Sequence, residues 1–191
     1  MFWHWRALAR IRLITLSIIP IFDTDISLHV QYSPILIEVY FDGLCQPINP
    51  GGIACFAFLV KSNGRTIHSE YGLAGEPFSE NSTNNVAEYT ALTKALQWLL
   101  ANKLDSDKVE INTDSQLIVN QLAGDYKVKA KRILALYREV LPLKSKFQDI
   151  QIRWIPRQNN QEADMLTNKA YNMALQQNPD YFDRVKFNRM K

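Results

Sequence analysis

The order in which two hydrophobic periods follow one another limits the fold of this chain more than any other feature. After about residue 35, three segments have the two-residue period of β-strands, and the later segments alternate between helical spacing and strand-like runs. The predicted order is β-β-β-α-β-α-α-β-α. A strand meander followed by βα units favours an α/β fold, in which a mixed five-stranded sheet (an antiparallel meander plus parallel βα units) has helices on both faces.

Turn residues divide the meander into three strands. Residues 37–42 alternate between apolar side chains and polar or aromatic ones, and a turn rich in Pro and Gly follows over 47–52. The apolar run 53–60 is the second predicted strand. The Asn-Gly pair at 63–64 is a strong hairpin signal and leads into a third strand over 66–71.

Capping and breaking residues mark the helices. Thr83 or Asn84 is the candidate N-cap of the first long helix, and Ser115 can cap a short helix that Gly124 closes. Pro142 is expected to end or kink the next helix, because proline lacks the amide donor and clashes with the preceding turn.

The folded domain is expected to span residues 35–177. Its last two elements are a fifth strand over 150–155 and a helix from about 160 to 177, which carries alanine and leucine at helical spacing. Residues 178–191 are basic and are expected to form a frayed C-terminal tail.

Residues 1–34 differ in character from the rest of the chain. Three arginines precede the apolar run 13–22, and no acidic residue occurs before Asp23. This layout is similar to a targeting segment, but the run is too short for a membrane helix, Pro20 interrupts it, and it has no small-residue cleavage site. The segment is therefore predicted to be an unstructured leader or a mis-called start, and targeting or membrane association is the alternative.

Composition argues against several kinds of catalytic site. The net charge of +3 is mildly basic and compatible with a polyanionic partner. Cys45 and Cys55 match no metal-binding spacing and indicate buried or semi-buried thiols in a reducing compartment, so a cytoplasmic location is expected; a disulfide between them is the alternative. The histidines, at positions 4, 29 and 68, lie away from the acidic motifs, which argues against Ser-His-Asp, Cys-His and zinc-water mechanisms.

Four carboxylates occur at the boundaries of predicted elements. Asp42 and Asp114 lie at strand ends, and Glu88 and Asp164 lie in the first turns of helices. Open α/β sheets place their ligand sites at such boundaries, although a carboxylate near a helix N-terminus also stabilises the helix dipole without any other role. Clustered carboxylates repel one another unless cations neutralise them, and their hard oxygen atoms suit Mg²⁺ or Mn²⁺.

Four short motifs carry a family resemblance. In chain order they are Tyr40-Phe41-Asp42-Gly43 with Asn49-Pro50-Gly51-Gly52, then Thr83-Asn84-Asn85-Val86-Ala87-Glu88, Thr113-Asp114-Ser115-Gln116 and Asn160-Gln161-Glu162-Ala163-Asp164. They resemble the motifs of the type 1 ribonuclease H family, in the family's order and at the expected element boundaries. The resemblance covers about residues 35–175, so it implies the ribonuclease H-like fold for the whole domain.

The resemblance implies roles for individual residues. The four carboxylates would bind two Mg²⁺ or Mn²⁺ ions and carry the catalysis: Asp42, Glu88, Asp114 and Asp164. Neutral amides and backbone groups would bind the substrate in its minor groove: Asn84, Asn85 and Gln116, with the backbone of Gly43 and Cys45. Asn and Gln side chains both donate and accept hydrogen bonds, so they suit 2′-hydroxyls and base edges without demanding a sequence. For the two asparagines, a loop with a helix cap is the alternative.

The chain departs from many bacterial members in two respects. It has no histidine in the loop before the last motif, where Arg157 stands instead, and it lacks a basic protrusion. Both departures, with the segment 126–131, resemble the archaeal-type branch of the family. A guanidinium binds phosphate but does not shuttle protons at neutral pH, so Arg157 is a candidate electrostatic substitute in catalysis, or else a surface arginine in a turn. Lys127 and Lys129 either bind substrate phosphates or belong to a solvated basic segment.

Together these residues predict an endonuclease that hydrolyses the RNA strand of RNA–DNA hybrids, leaves 5′-phosphomonoesters and has no sequence preference. Two alternatives stay open: a catalytically weak ribonuclease H-like nucleic-acid-binding module, and a 3′–5′ exonuclease on a related fold. The expected partner is an RNA–DNA hybrid and, by the archaeal-type resemblance, duplex RNA. No obligatory protein partner or membrane is expected, and the protein is expected to be a monomer.

Overall fold

The computed structural model describes residues 35–189, and the predicted leader lies outside them. The elements, in chain order, are β1 (Leu36–Gln46), β2 (Ile53–Ser62), β3 (Arg65–Leu73), α1 (Asn84–Ala101), β4 (Lys108–Thr113), α2 (Gln116–Ala123), α3 (Lys131–Lys144), β5 (Asp149–Trp154), α4 (Gln161–Gln177) and α5 (Pro179–Arg189). A single 3₁₀ turn, Arg157–Asn159, precedes α4. Among the described helices, none is both long enough and apolar enough to cross a membrane.

The five strands form one mixed sheet in the order β3-β2-β1-β4-β5. The pairs β1–β2 and β2–β3 are antiparallel, whereas β1–β4 and β4–β5 are parallel. The predicted meander and parallel βα units are therefore confirmed. As a result, the carboxyl ends of β1, β4 and β5 point toward the same edge of the sheet, which is the edge where α/β folds place ligands.

Helices cover both faces of the sheet. On one face, Phe41, Phe58 and Ile111 pack with α1, α2 and α3 in a core of fully buried side chains. On the other face, Ile53 and Cys55 of β2 pack against α4 and α5. Alternation within the strands explains this division, because successive side chains point to opposite faces of a pleated sheet.

The first strand extends beyond the position that the sequence predicts. Asp42 is expected at its end, but β1 continues to Gln46. The parallel pairing with β4 ends at Tyr40 opposite Asn112, whereas the antiparallel pairing with β2 continues to Gln46 opposite Ile53. Asp42 therefore lies just beyond the parallel ladder rather than at the end of the strand.

Two further predictions on the helices are wrong. Pro142 does not end α3, which continues for two more residues to Lys144; the proline lies in the last turn, so little of the helix follows it. The tail does not fray over 179–189 but forms α5, and Val185 of this helix is buried against the α4 side of the sheet. One capping prediction is confirmed. The N-cap of α1 is Thr83, whose hydroxyl accepts a hydrogen bond from the backbone amide of Val86 at 3.1 Å.

Candidate active site

Two aspartates lie just beyond the parallel ladder between the central strands β1 and β4. Asp42 follows Tyr40, the last residue of β1 that pairs with β4, by two positions. Asp114 follows directly on Thr113, the last residue of β4. The Asp42 carboxylate accepts a hydrogen bond from the hydroxyl of Thr167 on α4 at 2.9 Å. Because β1 and β4 are neighbours, their carboxylates share one edge of the sheet.

Glu88 reaches this edge from α1 because Gly43 has no side chain. A Cβ atom at Gly43 would lie 2.3 Å from the Glu88 backbone nitrogen and 2.7 Å from its Cγ atom. The glutamate is 8% exposed. Its two carboxylate oxygens accept hydrogen bonds from Ser115 Oγ at 2.7 Å and from Asn84 Nδ2 at 3.2 Å. Ser115 is the N-cap residue of α2, as predicted, but its side chain bonds to Glu88 and makes no capping hydrogen bond.

Asp164, in the first turn of α4, supplies the fourth carboxylate. It accepts a hydrogen bond from Arg157 Nη2 at 2.9 Å, and the arginine side chain is 79% exposed. The 3₁₀ turn before α4 places this guanidinium at the rim of the site. Arg157 therefore lies within the candidate site rather than on a remote surface turn.

Asn160 connects three of the carboxylate-bearing segments. Its side-chain amide donates to the backbone carbonyl of Phe41 at 2.9 Å and to Asp114 Oδ1 at 2.8 Å. Its backbone carbonyl oxygen accepts from the Asp164 backbone amide at 3.1 Å. Asn160 is 2% exposed, so these bonds are shielded from water and hold the sheet edge and the start of α4 together.

Burial and mutual repulsion shift the acid strengths within the site. Burial, the largest cause, raises the pKa of Asp42 to about 6, and the charges of Asp114 and Asp164 add to the rise while Thr167 opposes it. Burial likewise raises the pKa of Glu88 to about 7, with further contributions from Asp42 and Asp114. Asp42 thus interacts electrostatically with each of the other three carboxylates, as expected for a shared cation site.

The donor set suits a hard divalent cation. All four side chains offer carboxylate oxygens, the ligands that Mg²⁺ and Mn²⁺ prefer. Over residues 35–189, no three His, Cys, Asp or Glu side chains are grouped as a preformed metal cage. Instead, Thr167, Ser115, Asn160 and Arg157 hold the individual carboxylates.

The raised pKa values predict that ionisation of the buried carboxylates lowers the free energy of unfolding at neutral pH. A carboxyl group whose pKa is higher in the folded chain binds its proton more tightly there. The stabilisation from this tighter proton binding is fully present below about pH 4. It is lost as the pH rises from about 4 to 7, where the buried carboxyl group ionises. For Glu88, with a pKa of about 7, the loss is on the order of 3 kcal/mol.

Thermal unfolding in chelator should show this effect. The melting temperature of Glu88→Gln, relative to wild type, should be higher at pH 8 than at pH 5, because the variant lacks the buried charge. Glu76→Gln removes an exposed carboxylate and serves as the control. A difference in melting temperature between Glu88→Gln and wild type that does not change with pH would contradict the assigned burial of Glu88.

The structure brings most of the predicted substrate-binding residues to the site. Asn84 contacts Glu88, and Gln116, at the start of α2, directly follows Ser115 and is exposed. Asn85 lies beside Asn84 in the first turn of α1. Lys127 and Lys129 lie exposed in the loop between α2 and α3, with no described hydrogen bond or ion pair to the carboxylates.

Cys45 lies further along β1 and supports a turn rather than the carboxylates. It is 8% exposed, and its thiol donates to the backbone carbonyls of Ile48 and Ser82, both at 3.3 Å. Cys45 and Cys55 are both free and buried, as predicted.

Three contributors to the site were missed by the sequence prediction: Ser115 as a Glu88 partner, Asn160 and Thr167. Asn160 stands in the fourth motif, so its position gave a signal, but its contacts did not follow from the motif. Thr167 gave no signal, because a threonine facing the sheet at helical spacing is also typical of a buried core position.

The family and the relatives that match this chain agree with the resemblance of its four motifs. Residues 41–170 match the family described as reverse transcriptase-like. A bifunctional protein of Mycobacterium tuberculosis is 41% identical over 128 residues, which are 67% of this chain and 34% of that protein. The ribonuclease HI of Halobacterium salinarum is 36% identical over 143 residues, which cover 72% of this chain and 65% of that enzyme. The chain thus spans about a third of the mycobacterial relative.

A solved structure matches this chain over almost the whole length of the solved protein. The crystal structure of LC11-RNase H1 in complex with RNA/DNA hybrid superposes with a TM-score of 0.65 and 36% sequence identity. The superposition covers 73% of this chain and 99% of that one.

Proposed function

Because the chain belongs to the reverse transcriptase-like family and has the fold of type 1 ribonucleases H, we propose that it is an endonuclease that hydrolyses the RNA strand of RNA–DNA hybrids. The observation that carries this proposal is the convergence of four carboxylates from β1, α1, the end of β4 and α4. Asn160 bonds to Phe41, Asp114 and Asp164, and Gly43 packs directly against Glu88. The similarity to LC11-RNase H1, solved with an RNA/DNA hybrid, supports the substrate.

Asp42, Glu88, Asp114 and Asp164 would hold two divalent ions, Mg²⁺ or Mn²⁺. When bound, such ions activate a water molecule and stabilise the leaving oxygen in phosphodiester hydrolysis, which leaves a 5′-phosphomonoester. The protein side chains set the geometry: Ser115 and Asn84 orient Glu88, Asn160 orients Asp114, and Arg157 orients Asp164.

Substrate selection falls to residues beside the carboxylates. Asn84, Asn85 and Gln116 offer neutral amides at the starts of α1 and α2, where they can bind 2′-hydroxyls that only the RNA strand presents. Lys127 and Lys129 add phosphate contacts that carry no sequence information. Affinity should therefore fall with salt while the preferred substrate stays the same.

Three finer features complete the proposal. The protein acts as a monomer, accepts duplex RNA as a secondary substrate and resides in the cytoplasm. The free thiols of Cys45 and Cys55 support a reducing compartment. Residues 1–34 are a leader that the catalytic domain does not need.

A cleavage assay on an end-blocked, uniform RNA–DNA hybrid tests the proposed reaction. The RNA strand should be cut internally with Mg²⁺ or Mn²⁺ and should stay intact in chelator. Binding without cutting in either metal would favour the nucleic-acid-binding module. Cutting that requires a free 3′ end would favour the exonuclease.

Changing Arg157→Ala should slow cleavage by roughly 10–100-fold without abolishing it, because a guanidinium that contacts substrate phosphate stabilises charge in the transition state. Arg157→Lys should recover only part of the rate, since the bidentate fork is lost. Single-turnover rates on the hybrid provide the measurement.

Arg153→Ala is the matched control for this change. Arg153 is also an exposed arginine, but it lies on β5 and pairs with Glu110 at 2.9 Å, outside the site. An Arg157→Ala rate equal to that of Arg153→Ala would return Arg157 to the role of a surface arginine.

A further inference from the structure

Thr167 contacts an active-site carboxylate from the middle of α4. It lies one turn after Asp164, on the face of α4 that packs against the sheet, and it is fully buried. Its hydroxyl lies 2.9 Å from Asp42 Oδ2 and 2.8 Å from the backbone carbonyl oxygen of Asp164. The hydroxyl thus touches two of the residues proposed to hold the cations.

The hydroxyl has one hydrogen for these two acceptors. The Asp164 carbonyl has another donor, because Asn168 Nδ2 lies 2.8 Å from it. Asp42 Oδ2 has no other side-chain donor among the hydrogen bonds within residues 35–189. A hydrogen bond to a charged oxygen in a buried site is also stronger than one to a carbonyl that is already bonded. Both arguments direct the hydrogen toward Asp42.

We infer that Thr167 is a positioning residue for catalysis: its hydroxyl fixes one oxygen of Asp42 so that the other stays directed toward the site. The inference rests on the proposed function and adds to it. A carboxylate with one oxygen tethered loses rotational freedom before a cation binds, so less order has to be imposed at binding. The tether lies outside the four motifs, on the buried side of α4.

Three substitutions separate the hydroxyl from the packing of the side chain. Thr167→Val keeps the volume and removes the hydroxyl, whereas Thr167→Ser keeps the hydroxyl and removes a methyl group. Thr167→Ala differs from Thr167→Ser only by the hydroxyl, and it replaces the valine variant if that variant does not fold. Circular dichroism and thermal unfolding establish which variants are folded.

The expected pattern separates the hydroxyl from the volume of the side chain by their effects on kcat. Thr167→Val should lower kcat on the hybrid by roughly ten-fold with KM within about three-fold, and its Tm should fall as well, because a buried carboxylate oxygen loses its donor. Thr167→Ser should keep kcat within about three-fold of wild type although its Tm falls, because a buried methyl is lost. A role in packing alone predicts the reverse, with the serine variant slower than the valine variant, and that result would overturn the inference.

Thr93→Val on α1 is the matched control. Thr93 is 6% exposed, and its hydroxyl has no hydrogen-bond partner in the part of the chain that the structure describes. Its replacement should leave kcat within about two-fold of wild type. If Thr93→Val slows cleavage as much as Thr167→Val, loss of any buried hydroxyl has this effect and the inference is wrong.

Calorimetric titration with Mn²⁺ alone, without nucleic acid, gives a readout that does not depend on cleavage. Thr167→Val and Thr167→Ala should bind Mn²⁺ a few-fold more weakly than wild type, Thr167→Ser and Thr93→Val. If wild type fails to cut hybrid, the proposed function fails, and this order of Mn²⁺ affinities still decides on Thr167. Equal Mn²⁺ affinities, or no binding by wild type, would overturn the inference.

Discussion

Changing Asp42→Asn is expected to remove nearly all hybrid cleavage while the fold stays intact. Asp42 follows the parallel ladder between β1 and β4 and interacts with Asp114 and Asp164. Loss of its ligation should cost several kcal/mol of transition-state stabilisation, which corresponds to roughly a thousand-fold or more in rate. Single-turnover cleavage with Mg²⁺ or Mn²⁺ gives the measurement.

The same variant should not lose substrate binding or stability. The amide that replaces the carboxylate is neutral, so repulsion of the substrate phosphates is reduced and hybrid affinity should be kept or rise. Since burial raises the Asp42 pKa to about 6, removal of the charge should raise the Tm at pH 8 in chelator. Turnover within about ten-fold of wild type would remove Asp42 from the catalytic role.

Changing Gly43→Ala is expected to disrupt both stability and activity. The added Cβ atom would lie 2.3 Å from the Glu88 backbone nitrogen, and backbone cannot move aside as a flexible side chain can. Overpacking of this kind costs about 1–3 kcal/mol or more, which corresponds to a Tm lowered by roughly 5–10 °C in a domain of this size. Any shift of α1 that relieves the clash also moves Glu88 away from Asp42, so cleavage should fall by at least about ten-fold.

Gly75→Ala is the matched control, because a Cβ atom there would meet nothing within 4 Å and Gly75 has no positive φ. Its Tm and activity should stay close to those of wild type. If Gly43→Ala unfolds at the same temperature as Gly75→Ala and cleaves normally, α1 does not need the close approach to β1.

The order of elements and the family could be predicted from the sequence because both depend on local patterns. Hydrophobic periods and turn residues are properties of short segments, and the four motifs each lie within a few residues. The family match over residues 41–170 and the mixed sheet confirm these predictions. The motifs also predicted a substrate-binding role for Asn84 and Gln116; Asn84 donates to Glu88, and Gln116 directly follows Ser115.

Contacts between distant segments could not be predicted in the same way. Thr167 and Asp42 are 125 residues apart in sequence, and Asn160 and Phe41 are 119 residues apart. Such contacts depend on strand register and on the position of α4, which no local pattern specifies. Helix α5 was missed for a related reason, since its burial of Val185 requires a face that forms only in the folded chain.

The strand choice of the nuclease tests the central claim most directly. Four end-labelled duplexes, RNA–DNA, DNA–DNA, RNA–RNA and DNA with a short RNA insert, would be incubated with Mg²⁺ or Mn²⁺ and resolved on denaturing gels. Asn84, Asn85 and Gln116 should restrict cleavage to strands that present 2′-hydroxyls. We expect internal cuts in the RNA of the hybrid and of the insert, slower or no cleavage of duplex RNA, and intact duplex DNA. Cleavage of a DNA strand at a rate comparable to that of the hybrid's RNA strand would contradict the proposed function.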